Sequence, residues 1–92
     1  MRIDAIQKYV SLIASFLGGS VDASTFEPLF LGMFKNEGVI FPPIVFNVLD
    51  RLFADVDSYC ADPAIRGKED LDENQLRDRC GTALLDLQRY CE

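Results

Sequence analysis

The side chains with the clearest chemical potential in this 92-residue chain are its carboxylates. Fifteen Asp and Glu stand against nine Lys and Arg, for a net charge of -6, and there is no histidine. Histidine is the most common general base, proton shuttle and metal ligand, so these roles have no obvious candidate. The chain also lacks a Walker loop, and Gly18-Gly19 has no strand before it to build a phosphate cradle. The sequence therefore predicts a protein that is not an enzyme and that needs no cofactor.

Clustered acids can also bind a hard cation. A calcium loop that began at Asp50 would need oxygen ligands at alternate positions and a glycine at the sixth, but Leu52 and Val56 interrupt it and Asp55 stands at the sixth position. A glycosidase-like pair of carboxylates would need a cleft that raises one pKa, and a short bundle offers little concavity. We predict no metal site.

The acidic excess is uneven along the chain. Residues 1–49 carry four acids and three bases, whereas residues 50–92 carry eleven acids and six bases. Such a surface repels nucleic-acid phosphates and anionic lipid, while it speeds association with a basic protein. Solubility alone is the simpler explanation of acidity. The charge nevertheless predicts no direct contact with nucleic acid and no membrane partner.

Two features of the sequence indicate the cellular compartment of the protein. Cys60, Cys80 and Cys91 are odd in number and lack CxxC spacing, which argues against disulfides or zinc and fits a reducing cytosol with the thiols in the core. The apolar segment 9–17 has the length of a signal-peptide core, but its apolar residues recur at helical spacing and Asp4 precedes them. It is also shorter than the roughly 20 residues that span a bilayer. We expect a cytoplasmic protein.

Apolar residues recur at three- and four-residue steps in four segments, which predicts four amphipathic helices. The first helix is expected from about Asp4, as N-cap, to Leu17. The second is expected to begin with Ser24 or Thr25 as N-cap and to stop at Gly38. No strand-like alternation appears.

Proline and capping residues delimit the other two predicted helices. Pro42-Pro43 can open the third, which carries the longest apolar stripe and is expected to stop near Asp62-Pro63. Asp72 is the predicted N-cap of the fourth, with Gln75 bonding back in a capping box. Short connections between such helices predict an all-α, antiparallel four-helix bundle that forms one domain over residues 1–92.

The third helix has an unusual charge pattern. At about 100° per residue, Asp50 and Asp57 stack on one flank, Asp55 and Asp62 on the other, with small residues between. A solvated helix face is the ordinary explanation. However, Arg51 is the only base exposed among these acids, so most lack an i, i+4 partner. Because unpaired like charge slightly destabilises a monomer, the pattern suggests a cationic partner.

The strings from Leu49 to Pro63 (LDRLFADVDSYCADP) and from Leu71 to Arg77 (LDENQLR) resemble the bacterial self-protective, colicin-like immunity family. Similarity extends to the segments around Tyr9–Gly19 and Phe26–Leu31, and so covers nearly the whole chain. That family includes the immunity protein of colicin D and related proteins of contact-dependent growth inhibition systems.

The resemblance implies a four-helix bundle that binds its cognate nuclease toxin, whose C-terminal domain cleaves transfer RNA in the cytosol. Members of the family place acidic side chains in the basic RNA-binding site of the nuclease. Carried over to this chain, Asp57 is the residue most expected to face that site, with Asp55 and Asp62 beside it. Four further residues are weaker assignments: Asp50, Glu69, Asp70 and Glu73.

Two other classes of function stay open at this point. A helical adaptor or regulatory subunit would bind another protein through an apolar groove, with little dependence on salt and with tolerance of charge reversal on the third helix. A small metal-dependent hydrolase would take up metal tightly and in a fixed ratio.

Overall fold

Four α-helices, packed side by side, make up most of the computed structural model, which describes residues 3–91. Each helix contacts the one before and the one after it, and the last also packs on the first. This closed order of neighbours, with short connections, is that of an up-down bundle and confirms the predicted antiparallel four-helix bundle. The helices are α1 (Ile3–Leu17), α2 (Ala23–Lys35), α3 (Pro43–Asp57) and α4 (Glu73–Cys91).

Aromatic rings fill much of the core between α1 and α2. Phe16 stacks on Phe26 with ring centroids 4.5 Å apart, and Phe26 stacks on Phe30 at 5.7 Å. Tyr9 meets Phe30 and Phe41 edge to face. Such pairs add about 0.5–1.5 kcal/mol each beyond the area they bury. Helices α3 and α4 close the core with fully buried aliphatic side chains, among them Leu49, Leu52, Val56, Leu76 and Leu87.

The first two helices begin earlier than predicted. Helix α1 already includes Ile3, so Asp4 is a helical residue and not the N-cap. Helix α2 is capped by Asp22, whose Oδ1 accepts a hydrogen bond from the Thr25 backbone N–H at 2.8 Å. Ser24 and Thr25 were therefore wrong as N-caps. Pro28 consequently lies inside α2, where it removes one backbone hydrogen bond of the helix.

Helix α3 begins at Pro43 as predicted but ends at Asp57, not near Asp62-Pro63. The Ser58 hydroxyl donates to the Ala54 carbonyl at 3.0 Å, and beyond it the chain leaves the helix. It is held instead by an isolated parallel bridge, in which the Leu71 N–H donates to Ser58 and the Cys60 N–H donates to Leu71, at 2.8 and 2.9 Å. Asp62 therefore lies in the connection 58–72 and not on α3.

Helix α4 begins with the predicted capping box. Asp72 Oδ1 accepts from the Gln75 N–H at 2.8 Å, and Gln75 Oε1 accepts from the Asp72 N–H at 2.9 Å. Deeper in the helix, Cys80 is fully buried, and burial together with the nearby charge of Asp55 raises the pKa of its thiol to about 12. All three cysteines are free; Cys80 is a core residue as predicted, whereas Cys60 and Cys91 are half-buried.

Candidate functional site

One end of the bundle carries the whole net charge of the chain. This end, which we call the acidic end, consists of residues 18–27 and 55–79 and includes the α1–α2 turn and the α3–α4 connection. It holds ten acids and four bases, for a net charge of -6, while the rest of the sequence holds five of each. The sequence predicted an acidic second half, and the fold gathers that charge at one end.

At the acidic end, Arg77 connects α4 to the C-terminus of α1. Its Nη1 donates to the backbone carbonyls of Phe16 and Leu17 at 3.2 and 3.3 Å, and its guanidinium lies 4.6 Å from the centre of the Phe16 ring. Both carbonyls belong to the last turn of α1, where helical partners run out, and that of Phe16 also accepts from the Gly19 N–H at 3.1 Å. The first turns of α4 are thereby fixed against the last turn of α1.

Tyr59 lies among carboxylates of two helices. Its pKa is raised by burial and by the negative charge of Glu73 and Glu27, partly offset by Arg66. Arg66 in turn holds the connection, since its Nε donates to the Cys60 carbonyl at 3.0 Å. The half-buried Tyr59, just beyond the end of α3, thus marks the place where α2 and α4 bring acids close to one aromatic ring.

Asp57 is the exposed last residue of α3. Among residues 3–91, its side chain has no ion pair and no hydrogen bond, and the last turn of α3 contains no base. The carbonyl end of a helix carries partial negative charge, so a carboxylate there is unfavourable for the monomer. Asp57 is therefore available to a cation supplied by a partner.

The acids of the connection have local roles as well. Asp62 Oδ1 accepts from the Ala64 N–H at 2.9 Å, and Asp70 Oδ2 accepts from the Gly67 N–H at 2.8 Å. Each of these bonds fixes a turn of the connection. Glu69, directly before Asp70, is exposed. The structure places all three at the acidic end with Asp57.

Two of the predicted site residues already have partners. Glu73 Oε2 lies 3.1 Å from Arg77 Nε, and Asp55 Oδ1 lies 3.4 Å from Arg79 Nη1. The Asp55 side chain is only 18% exposed and faces α4. The expectation that most acids of the third helix lack a partner therefore fails for Asp55, because its base comes from another helix.

Asp50 lies outside the acidic end. It is exposed on the same flank of α3 as Asp57 but two turns earlier, about 10 Å along the axis. Sequence reasoning also overlooked Asp22 and Glu27, the acids that α2 brings to the acidic end. The antiparallel order of the helices is the signal that could have found them, since it sets the start of α2 beside the end of α3.

The acidic end offers charge without an evident metal centre. Within residues 3–91, no group of three or more acids or cysteines is placed so that it could hold a metal ion. Over the same residues, no helix combines the length and the apolar character that crossing a membrane requires. What the arrangement can do chemically is to bind cationic groups at its free carboxylates.

A family model described as bacterial self-protective, colicin-like immunity matches residues 4–87. No curated protein and no solved structure matches the chain. Because the family match covers most of the sequence, the chain belongs to this colicin-like immunity family, which confirms the resemblance inferred from its motifs. Its class is that of immunity proteins, which neutralise toxins.

Proposed function

We propose that this immunity protein neutralises a nuclease toxin, one that cleaves transfer RNA, by placing carboxylates of the acidic end in the basic active site of the toxin. The observation that carries the proposal is the position of the charge: the net charge of -6 lies at one end, where the exposed Asp57 side chain has no ion pair within residues 3–91. Asp57 is the first contact in this proposal, with Asp62 and Glu69 beside it. Asp55, Asp62, Asp70 and Glu73 also form bonds within the protein, and they contact the toxin through oxygens that those bonds leave accessible. Asp50 lies at the margin of the interface.

Carboxylates suit this role because they resemble phosphates to the groups that bind RNA. Arg and Lys side chains of a nuclease recognise pairs of anionic oxygens, and Arg does so in a two-pronged geometry. An acidic surface that occupies those groups excludes the RNA. The inhibitor needs no catalytic residue for this.

Rigidity makes the acidic end a good inhibitor. The capping box of Asp72, the bridge between Tyr59 and Leu71, and the contacts of Arg77 fix its backbone before any partner arrives. A surface that is already ordered loses little conformational entropy on binding, so more of the contact energy appears as affinity.

In this proposal the chain acts in the cytoplasm as one domain over residues 1–92. It works without a cofactor and touches neither nucleic acid nor membrane itself. Its charge acts over the Debye length of about 8–10 Å at physiological salt, which orients and speeds the encounter with a basic toxin.

The test needs the cognate toxin domain, and the gene next to that of this chain is the first place to look for it. We expect a one-to-one complex, loss of transfer-RNA cleavage, and an on-rate that falls as salt rises. Asp57→Lys should lower the on-rate about tenfold, because it turns attraction into repulsion at the first contact. Asp4→Lys, the same charge change on an exposed residue at the opposite end, serves as the matched control and should change it little.

Two results would overturn the mechanism. If Asp50, Asp55, Asp57 and Asp62 can all be changed to Lys while protection persists, the carboxylates do not occupy the toxin site. If binding is insensitive to salt as well, the helical-adaptor hypothesis accounts better for the complex. If the toxin domain cleaves another nucleic acid and not transfer RNA, the proposed substrate of the toxin is wrong.

A further inference from the structure

We infer that the toxin also inserts an apolar side chain into the groove between α3 and α4, and that this second contact holds the complex that the acidic end recruits. The inference rests on the proposed function and names a further part of the same interface. It concerns residues of the bundle's side, away from the carboxylates.

The groove is open to solvent and lined largely by apolar side chains. It encloses about 490 Å³ between the first half of α3 and the last turns of α4. Ile44, at its edge, is 65% exposed, and Tyr90, on the opposite wall, is 37% exposed. Val45, Val48 and Leu87 form the rest of the apolar lining. A groove of this depth can accept a large aliphatic or aromatic side chain.

The groove is continuous with the acidic end. A smaller depression of about 180 Å³ shares Val48, Arg51 and Asp86 with it and extends along the same seam to Asp55 and Arg79. Asp55 and Arg79 form the ion pair at the border of the acidic end. A partner that covers the seam therefore reaches from the carboxylates to Ile44 and Tyr90 without crossing another helix.

The seam lies within reach of a partner that is seated at the acidic end. The bundle measures 44 × 23 × 20 Å, and the stretch of α3 from Asp57 back to Ile44 spans roughly 20 Å. A standard interface takes about 800 Å² of accessible surface from each partner, which can include part of one side as well as the end. The α3–α4 seam is the side that combines concavity with exposed apolar residues.

The charged residues at the rim of the groove indicate which chemistry the inserted toxin side chain and its neighbours should have. Arg51 and Arg89 are exposed, and within residues 3–91 neither forms an ion pair. Asp86 also lines the groove, but the two arginines outnumber it, so the rim favours an apolar side chain that is flanked by a carboxylate. The toxin surface is thus expected to be basic where it meets Asp57 and to carry an apolar residue with an acidic neighbour where it meets Ile44.

The two contacts should affect different rate constants. Exposed charges mainly set the rate of encounter, whereas buried apolar contacts near the centre of an interface mainly set the rate of release. We therefore expect the double variant Ile44→Ser with Tyr90→Ser to release the toxin domain at least tenfold faster, with the on-rate and its salt dependence unchanged. Both changes are neutral in charge and both residues are exposed, so folding is preserved.

Leu29→Ser is the matched control, because Leu29 is 49% exposed on α2 and lies outside the groove. It should release the toxin domain at the wild-type rate. Circular dichroism and urea unfolding of all variants verify that they fold, and sedimentation of the free protein reports its oligomeric state.

The possible outcomes distinguish failure of the groove contact from failure of the proposed function. If the double variant releases the toxin at the wild-type rate while Asp57→Lys slows association, the groove is not part of the interface and the proposed function stands. If the wild-type protein neither binds nor inhibits the toxin domain, the proposed function itself fails. A wild-type dimer that the double variant dissolves, with toxin release unchanged, would assign the groove to a second copy of the chain.

Discussion

Glu37 and Asp57 are carboxylates at opposite ends of the bundle, and their surroundings differ sharply. The Glu37 side chain is 7% exposed, and its Oε1 accepts from the Tyr9 hydroxyl at 2.6 Å and pairs with Lys8 Nζ at 2.7 Å. Its Oε2 accepts from the Val39 N–H at 3.0 Å. Asp57 is exposed and has no such partner within residues 3–91. One carboxylate is committed to the fold, and the other is left for a partner.

The pKa shifts at the Glu37 end have identifiable causes. Burial acts to raise the pKa of Glu37, but hydrogen bonds from Lys8, Tyr9 and Val39 outweigh it and lower the pKa. The pKa of Tyr9 is strongly raised by burial and by its bond to Glu37. Glu37 is thus ionised and Tyr9 protonated across the physiological range, which keeps the network intact.

The largest expected effect is on the buried network. Glu37→Ala should lower the free energy of unfolding by about 2–3 kcal/mol, because the Val39 N–H loses its acceptor and the Tyr9 hydroxyl keeps only the Met33 carbonyl at 3.4 Å. The lost pair with Lys8 adds less, since Lys8 is partly exposed and water screens its charge. Urea unfolding followed by circular dichroism measures this. Asp50→Ala, which removes an exposed carboxylate, should cost less than about 0.5 kcal/mol. Equal losses in the two variants would show that the network does not stabilise the bundle.

The same network predicts a pH dependence. The pKa of Glu37 is lowered on folding from an ordinary value of 4.5, so its contribution is complete above that pH and is lost as the pH falls through the lower folded value. In Glu37→Gln the stability should fall less steeply below pH 4.5 than in the wild type. Unfolding curves at several acidic pH values test this. Parallel curves for the two proteins would contradict it.

Removal of Arg77 is expected to have the next largest effect. Arg77→Ala should cost about 1–2 kcal/mol, since it removes the hydrogen bonds to the Phe16 and Leu17 carbonyls, the ion pair with Glu73 and the cation stacked on the Phe16 ring. Thermal unfolding is the measurement. Arg79→Ala, which breaks only the pair with Asp55 at 3.4 Å, is the control and should cost less.

Loss of the α4 cap should lower the free energy of unfolding by a smaller amount. Asp72→Ala is expected to cost about 1 kcal/mol, because the Gln75 N–H at the start of the helix loses its acceptor. Asp72→Ser, which can still accept that bond, should recover most of the loss. If alanine and serine behave alike in urea unfolding, the capping bond contributes nothing measurable.

The helices could be predicted from the sequence where they depend on local patterns. The apolar stripes fixed their number and order, and the capping pair of Asp72 and Gln75 placed the start of α4 correctly. The end of α3 could not be predicted, because it is set by a bridge between Tyr59 and Leu71, twelve positions further along the chain. The start of α2 was missed because Asp22, not Ser24 or Thr25, supplies the cap.

For the candidate site, the sequence could predict only the relative positions of residues within one helix. The spacing of Asp50 and Asp57 placed them on one flank of α3 without knowledge of the fold. Pairing between helices lies beyond that reasoning, since Arg79 meets Asp55 only when α4 packs on α3. The approach of Glu27 to Tyr59 likewise follows from the antiparallel order of α2 and α3.

The smallest expected change in stability belongs to the residue proposed to matter most for binding. Asp57→Lys should leave the free energy of unfolding unchanged or raise it by a few tenths of a kcal/mol, because it replaces an acid at the carbonyl end of α3 with a base. Urea unfolding at low salt, where such effects are least screened, is the measurement. A loss of about 1 kcal/mol or more would mean that Asp57 serves the fold, as Glu37 does, and its exposure could not then be explained by a partner. A neutral or stabilising effect together with slower toxin binding would show that Asp57 and Glu37 have different roles. The Asp57 carboxylate would then contribute nothing to the stability of the monomer, although the complex requires it.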